Sequence, residues 1–253
     1  MEKIIASGAE AILIQEKDKL VKRRISKGYR LPVLDEKLRK LRTRSEAKII
    51  QKLQDKINVP KIIKVDEHSK EIEMEFIQGK KLSEHLDNFD LNKQEEICSQ
   101  IGLEVSKMHD LDIVHGDLTT SNMILVEVTG KNNACNYSPN ISNSHFNNQS
   151  ARVGEQLHFT KINKDKKMGL RAGWEDNNSK FKSYLIDFGL GFQNAKIEDK
   201  AVDIHLFKQA LESKHFKHWE KLFHAFLHGY SSQDKTKIIN QLEKVESRGR
   251  YKH

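Results

Sequence analysis

Short apolar runs separated by polar turns predict a small antiparallel sheet in the first part of the chain. The predicted strands lie at residues 4–6, 10–14, 19–23, 62–65 and 71–76. Between the third and fourth runs, apolar residues recur mostly at steps of three or four, which predicts one amphipathic helix. Its apolar positions are Leu34, Leu38, Leu41, Ala47, Ile50 and Leu53.

The second part of the chain has mainly helical periodicity. Helices are predicted at residues 82–86, 94–109, 202–213, 218–229 and 233–247, with one short strand at 184–186. The pattern therefore predicts a β-rich N-lobe with one helix, residues 1–77, followed by a mainly helical C-lobe, residues 78–253.

One segment breaks this pattern. Residues 130–183 contain ten Asn and six Ser and show no sustained period, so they cannot bury enough apolar surface to offset the entropy of ordering. We predict a disordered insertion in the C-lobe. About 199 residues remain without it, a suitable size for one two-lobed domain.

The net charge of +8 is concentrated in a basic block, residues 19–44, which alone carries +9. Such a block is typical of contact with phosphate-rich partners, and equally of a solvated helix face. Residues 248–253 form a shorter basic tail.

No apolar run approaches the roughly 18 residues that span a bilayer. The N-terminus lacks the layout of a signal peptide, and the two cysteines, Cys98 and Cys135, have no metal-ligand spacing. We expect no membrane contact and a cytoplasmic protein, also nuclear if the source is a eukaryote.

Two motifs carry phosphoryl-transfer chemistry. Asp117 and Asn122 lie five residues apart between apolar stretches, as in kinase catalytic loops, where the Asp orients the accepting hydroxyl and the Asn binds Mg²⁺. Asp187-Phe188-Gly189 follows the predicted strand 184–186 and places a second metal ligand, Asp187, at its end. Their order behind the predicted N-lobe indicates an α+β, protein-kinase-like fold that binds ATP and Mg²⁺.

Such a site also needs a cation on the phosphates and an acid that positions it. Lys22, on the third predicted strand, is the candidate cation. Glu46, on the predicted helix, is its candidate partner, although Glu36 lies on the same helix.

Two backbone segments complete the predicted nucleotide site. Ser7, Gly8 and Ala9 form the turn that would cover the phosphates, with one glycine where kinases usually have three. Glu75 and Ile77, at the end of the last N-lobe strand, would hydrogen-bond adenine through their backbone.

Parts of an ordinary protein kinase are missing. The catalytic loop has Gly116 where regulated kinases have Arg, and no Ala-Pro-Glu follows Asp187. Only 13 residues separate Gly189 from Asp203, at the start of the next predicted helix. This minimal activation segment argues against a kinase that docks peptides.

These motifs resemble those of the small atypical kinase subunit of the KEOPS complex, the Bud or PRPK family. The resemblance covers the chain outside the predicted insertion. The matching segments are Ser7-Gly8-Ala9-Glu10-Ala11, Lys27-Gly28-Tyr29-Arg30, Arg42-Thr43-Arg44-Ser45-Glu46-Ala47, residues 115–122, Asp187-Phe188-Gly189-Leu190, Glu198-Asp199-Lys200-Ala201-Val202-Asp203 and Arg248-Gly249-Arg250.

The resemblance implies a kinase-like ATPase that autophosphorylates and supports threonylcarbamoylation of adenosine 37 in tRNA. It implies a transferase partner on the C-lobe and a small Cgi-type subunit on the N-lobe, with tRNA reached through the basic block and the tail. By motif, Asp117 would be the catalytic Asp, Asn122 and Asp187 the Mg²⁺ ligands, and Lys22 and Glu46 the ion pair at the phosphates.

Other classes share parts of this pattern. Aminoglycoside-type phosphotransferases and RIO-type kinases also use His-Gly-Asp with a later Asn and Asp. The intact Asp187-Phe188-Gly189 argues against the former, and the short N-lobe without a preceding winged-helix module against the latter. A scaffold without chemistry is disfavoured because the metal and proton groups are all present.

Overall fold

The N-lobe is built on one antiparallel sheet. The structure, a computed structural model, describes residues 2–8, 10–128 and 181–249. Five strands form the sheet in the order β1-β2-β3-β5-β4. Their bounds are β1 Glu2–Ser7, β2 Ala11–Glu16, β3 Lys19–Arg24, β4 Ile62–Asp66 and β5 Glu71–Glu75. All five predicted strands are confirmed, with bounds that differ by at most two residues.

A single long helix, α1 (Pro32–Leu53), packs on this sheet. Its second half buries Ala47, Ile50 and Leu53, as the periodicity predicts. In its first half the predicted apolar stripe is wrong, because Leu34 and Leu41 are each 49% exposed. The inward positions there are polar: Asp35, Thr43 and Glu46 are buried and held by arginine side chains or backbone carbonyls.

The C-lobe is a helical layer under two small sheets. Its helices are α2 (Leu82–His85), α3 (Leu91–Asp110), α4 (Ile197–Lys214), α5 (Trp219–Gly229) and α6 (Lys235–Gly249). Its strands are β6 (Lys80–Lys81), β7 (Ile113–Val114), β8 (Met123–Glu127), β9 (Phe181–Leu185) and β10 (Phe192–Gln193). Strand β7 pairs with β10, and β8 lies between β6 and β9. Among the described helices, none has the length and apolarity needed to cross a lipid bilayer.

One apolar core joins the lobes. Ile97 and Ile101 of α3 pack with Phe207 of α4 and Phe226 of α5, and the cluster continues to Ile49 of α1. The core also includes Leu118, Met123 and Phe188, next to Asp117, Asn122 and Asp187, so its packing helps to set the positions of the two sequence motifs.

Two predicted boundaries change. Most of the predicted insertion, residues 130–183, lies outside the described residues, but its last three residues form the start of β9. The helix predicted at residues 202–213 begins already at Ile197. Residues 190–196 alone therefore connect Gly189 to α4, which makes the activation segment shorter than the sequence indicates.

Candidate active site

Strand β3 and helix α1 bring a lysine and a glutamate into a buried ion pair. Lys22 Nζ lies 2.6 Å from Glu46 Oε1, and the two side chains are 8% and 1% exposed. Glu36 is not part of this pair, because its carboxylate is 63% exposed and binds Lys70. The structure thus places Glu46, rather than Glu36, beside Lys22.

Asp187 joins this pair from the C-lobe. Lys22 Nζ lies 2.7 Å from Asp187 Oδ1. Burial alone would lower the pKa of the Lys22 ammonium, but the carboxylates of Glu46 and Asp187 outweigh it and hold that pKa above its ordinary value. Burial alone would raise the pKa of Asp187, but the Lys22 ammonium holds it below its ordinary value. Both groups are therefore charged at neutral pH.

The backbone of Asp187 is left-handed, with φ of +61°. This conformation costs free energy for a residue with a side chain, and it persists only where the surrounding structure enforces it. Gly189 follows closely, and its N–H donates to Asp187 Oδ1 at 3.3 Å. The turn therefore holds the carboxylate toward Lys22.

The loop of residues 115–122 holds Asp117 and Asn122 together. Asn122 Nδ2 donates to both the backbone oxygen and Oδ2 of Asp117, each at 2.9 Å. The backbone oxygen of Asn122 accepts from the N–H of Ile186 at 3.0 Å, which ties the loop to the residue before Asp187. This backbone hydrogen bond thus keeps the two predicted metal ligands, Asn122 and Asp187, near each other.

His115 orients this loop from beneath. Its Nε2 donates to the backbone oxygen of Ile186 at 2.9 Å, and its Nδ1 accepts from the N–H of Asp117 at 3.3 Å. Because a backbone oxygen can only accept and an N–H can only donate, these two bonds fix the imidazole tautomer.

Asp203 is a positioning residue that the sequence analysis did not assign. It is buried in α4, and its carboxylate accepts from the N–H groups of His115 and Gly116 at 2.8 and 2.9 Å. Gly116 has φ of +76°, and a Cβ there would lie 2.4 Å from the backbone oxygen of Leu190. The only hint in the sequence was the position of Asp203 in a shared motif, since 88 residues separate it from His115.

An apolar cavity of about 390 Å³ opens beside this cluster. Its walls include Leu13, Met74, Ile77, Ile124 and Ile186, and its polar rim contains Lys22, Asn122 and Asp187. An apolar cleft with a few convergent polar groups is typical of a small-molecule site.

Glu75 and Ile77, the two residues expected to hydrogen-bond adenine, both line this cavity but differ in their backbone hydrogen bonds. The N–H of Glu75 donates to the backbone oxygen of Lys61 at 2.8 Å. The N–H of Ile77 has no acceptor among the described residues. Ile77 therefore offers a free donor to a flat ring in the cavity, whereas the Glu75 amide is already used.

A second cavity, of about 370 Å³, continues from the first and shares Lys22 and Asp187 with it. It is lined by Gly8 of the N-terminal turn and by Asp117, Gly189, Arg24 and Arg42. Its charged lining differs from the apolar walls of the first cavity, as expected where the two ends of a nucleotide are bound apart.

The turn over this second cavity only partly matches the expectation. Ser7 ends β1, and the N–H of Gly8 is taken by the backbone oxygen of Ala11 at 3.0 Å, so it is not free for a phosphate. Ala9 lies outside the described residues. Glu10, in the same turn, is instead bound to α1, with its Oε2 2.6 Å from Arg42 Nη1.

The residues present fit Mg²⁺ and ATP. Both hydrogen bonds of the Asn122 amide nitrogen go to Asp117, which leaves its oxygen Oδ1 for a cation. Mg²⁺ prefers oxygen ligands and usually takes one or two carboxylates together with phosphate oxygens. Asn122 and Asp187 supply such oxygens on the rim of the first cavity.

Similarity to known proteins covers the whole chain. The chain is 34% identical over 265 residues to the KEOPS complex subunit Bud32 of Pyrococcus abyssi (strain GE5 / Orsay), with 99% of this chain and 96% of that protein aligned. The chain belongs to the Bud32 family. The resemblance inferred from the motifs is thus confirmed.

Longer proteins also contain a segment like this Bud32-family chain. It is 33% identical over 260 residues to a probable bifunctional tRNA threonylcarbamoyladenosine biosynthesis protein of Methanobrevibacter smithii (strain ATCC 35061 / DSM 861 / OCM 144 / PS). The match covers 100% of this chain but only 37% of that protein. The corresponding protein of Methanocaldococcus jannaschii (strain ATCC 43067 / DSM 2661 / JAL-1 / JCM 10045 / NBRC 100440) is 34% identical, again over 37% of its length.

Further comparisons concern the fold. The family model described as the RIO domain matches residues 14–131. The Rio2 kinase-ADP/Mg²⁺-phosphoaspartate complex from Chaetomium thermophilum aligns with a TM-score of 0.54 at 13% identity, over 99% of this chain and 71% of that one. WaaP in complex with acyl carrier protein aligns with a TM-score of 0.53 at 11% identity, over 98% and 88%. The predicted α+β, protein-kinase-like fold is confirmed.

The basic block of this Bud32-family chain is largely neutralised by ion pairs. Of its eleven cations, nine lie within 4 Å of a carboxylate among the described residues. Lys27 and Lys37 are the two without such a partner in this part of the chain. Lys22 and Arg24 are buried, which removes them from any surface that tRNA could touch.

The basic tail begins inside a helix. Arg248 and Gly249 are the last residues of α6, and Arg248 Nη1 lies 2.6 Å from Glu198 Oε1. The rest of the predicted tail, residues 250–253, lies outside the described residues.

Proposed function

We propose that this chain is the kinase-like ATPase subunit of a KEOPS complex, acts in the cytoplasm, and supports threonylcarbamoyl modification of adenosine 37 in tRNA. One observation carries the catalytic part: Lys22, Glu46 and Asp187 lie in one ion-pair cluster beside the hydrogen-bonded pair Asp117 and Asn122. Phosphoryl transfer needs this set of groups. The similarity to Bud32 and to tRNA threonylcarbamoyladenosine biosynthesis proteins supports the biological role.

In this proposal each residue has one task. Lys22, positioned by Glu46, neutralises charge on the phosphates of ATP. Asn122 and Asp187 hold Mg²⁺, which, when bound, withdraws charge from the phosphate oxygens. Asp117 orients the hydroxyl of a water molecule or of a serine or threonine, so that the terminal phosphoryl group passes to water or to the protein itself. The purine ring lies between Leu13 and Ile124, next to the free N–H of Ile77.

The test is ATP turnover with its magnesium dependence. We expect purified protein, combined with its tRNA-modifying partner, to hydrolyse ATP and to label itself from γ-labelled ATP only when Mg²⁺ is present. Asp187→Ala should abolish both. Asp55→Ala is a matched control, because Asp55 is an exposed aspartate outside the cleft.

Equal turnover by wild type and Asp187→Ala would contradict the enzyme role. If Asp187→Ala loses turnover but still supports the tRNA modification in the reconstituted complex, the chain acts there as a scaffold.

We further propose a transferase partner on the C-lobe, a small Cgi-type subunit on the N-lobe, and tRNA contacts through the basic block and the tail. The bifunctional relatives support a close relation to another tRNA-modifying unit. Within the block, the unpaired Lys27 and Lys37 are the first cations to test. Deletion of residues 248–253 and the double variant Lys27→Ala/Lys37→Ala should each weaken tRNA binding and flatten its dependence on salt concentration. Unchanged affinity in both would contradict these contacts.

A further inference from the structure

A second cation of β3 faces the proposed active site. Side chains two residues apart on a strand point to the same side, so Arg24 follows Lys22 into the space between sheet and helix. Arg24 Nη2 lies 2.5 Å from Glu46 Oε2, while Lys22 Nζ binds the other oxygen of the same carboxylate. Arg23, between them, points outward, is 51% exposed and pairs with Glu71.

The guanidinium of Arg24 has donors to spare. Arg24 is 5% exposed, and the bond to Glu46 is the one hydrogen bond of its guanidinium among the described residues. Its Nε is buried without an acceptor there. An arginine stays charged at any accessible pH and offers five N–H donors. A buried cation with unfilled donors is costly, unless an anion joins it.

The location of Arg24 indicates which anion its free donors would bind. The apolar cavity with Met74 and Ile77 includes Lys22 but not Arg24 in its lining. The second cavity includes Arg24 together with Asp117 and Gly189. A Cβ at Gly189 would lie 3.4 Å from Arg24 Nη2, so the guanidinium lies against the turn after Asp187. Arg24 therefore lies beside the second, charged cavity with Asp117 and Asp187, where the proposed function places the transferred phosphoryl group, and not beside the apolar cavity proposed for the purine.

We propose that Arg24 binds the terminal phosphate of ATP, its guanidinium bridging this phosphate and the carboxylate of Glu46. This inference rests on the proposed function. In that function Asp187 turns to the metal, which leaves Lys22 and Arg24 to share the single negative charge of Glu46. The one positive charge that Glu46 does not balance attracts the terminal phosphate, so the site should bind ATP more tightly than ADP.

The test compares the affinities for ATP and ADP, each with Mg²⁺, by isothermal titration calorimetry. Arg24→Gln should weaken ATP binding by about 10- to 100-fold, the range for a charge-assisted hydrogen bond, and leave ADP binding nearly unchanged. Arg23→Gln removes the same charge from the same strand on the outward face. It should leave both affinities as in the wild type.

The outcomes separate the inference from the function on which it rests. Wild-type protein that binds neither nucleotide contradicts the proposed function itself. Wild-type protein that prefers ATP, together with Arg24→Gln that keeps the full preference, contradicts only the role of Arg24. An equal loss of ATP and ADP binding in a folded Arg24→Gln protein also contradicts it, because Arg24 would then act only through Glu46.

Arg24→Lys covers the case in which the glutamine variant does not fold. A lysine keeps the charge beside Glu46, but it lacks the planar fork that bridges two anions. We expect this variant to fold, to bind ADP as the wild type does, and to lose part of the preference for ATP. A preference equal to that of the wild type would contradict the bridging contact.

Discussion

Glu46 is the residue on which the buried charges of the N-lobe depend most. Its carboxylate is 1% exposed and accepts from Lys22 on one oxygen and from Arg24 on the other. Glu46→Gln keeps the shape of the side chain but leaves both cations in a buried site without this negative charge. Asp187 alone cannot replace it, because its side chain is 51% exposed and, of these two cations, pairs with Lys22 only.

The expected cost is large. Removal of one partner from a buried ion pair destabilises a protein by about 3–5 kcal/mol, because an uncompensated charge remains inside. For a chain of this size, each kcal/mol lowers the unfolding midpoint by roughly 2–4 °C, so a decrease of about 6–20 °C is expected. Thermal unfolding followed by circular dichroism measures it directly.

Glu36→Gln is the matched control on the same helix. Glu36 is 63% exposed and pairs with Lys70 at the surface, so this variant should unfold at the temperature of the wild type. The double variant Lys22→Met/Glu46→Gln should lose less stability than the sum of the losses of the two single variants, because it also removes one of the two cations that Glu46→Gln leaves without a negative partner. A Glu46→Gln midpoint equal to that of Glu36→Gln would refute the reasoning.

Two further predictions concern pH and backbone geometry. The fold lowers the pKa of Asp187 below its ordinary 3.8 and raises the pKa of Lys22 above its ordinary 10.5. The contact between the two charged groups therefore contributes its full stability at every pH between the two ordinary values, 3.8 and 10.5. It is lost as pH falls through the lowered pKa of Asp187 and as pH rises through the raised pKa of Lys22. The difference in unfolding midpoint between wild type and Asp187→Asn should thus stay constant from about pH 5 to 9 and shrink at lower and higher pH. A steep change of this difference near neutral pH would contradict the prediction. Gly116→Ala should destabilise the protein by more than about 2 kcal/mol in denaturant unfolding, since it adds a steric clash to a left-handed backbone, whereas Gly28→Ala, with open space around it, should not.

The sequence was sufficient for the N-lobe strands, for the main helices and for locating the two motifs, but of the C-lobe strands only β9 was predicted. Period-two and period-3.6 patterns predicted the strands and the main helices, because these patterns record which face of an element is buried. Asp117, Asn122 and Asp187 could be located from short motifs, because these motifs are recognised from neighbouring residues without knowledge of the tertiary structure. The pattern was wrong in the first half of α1, because Leu34 and Leu41 match a helical stripe but are each 49% exposed in the fold.

Residues whose role depends on distant partners could not be predicted in the same way. Asp203 binds the backbone of His115 and Gly116, and apart from its place in a segment shared with the resembled family nothing in the local sequence distinguishes it from another helix aspartate. Arg24 looked like one more member of the basic block. Its place two residues after Lys22 on a strand was the available signal, but its burial depends on how α1 covers the sheet.

The net charge of the basic block overstates the positive charge of its surface, because most of the carboxylates that pair with it lie elsewhere in the sequence. Lys19, Arg23, Lys40 and Arg44 pair with glutamates at residues 67–73, which the count over 19–44 does not include. A polyanion that binds to this face would have to compete with carboxylates already in place, and each exchange of partners gains little. Two cations of the block, Lys22 and Arg24, are instead buried on Glu46, where a nucleic acid cannot reach them. Most of the positive charge on this segment is therefore used in ion pairs within the N-lobe, which leaves Lys27 and Lys37, rather than the whole block, as the cations for the proposed tRNA contact.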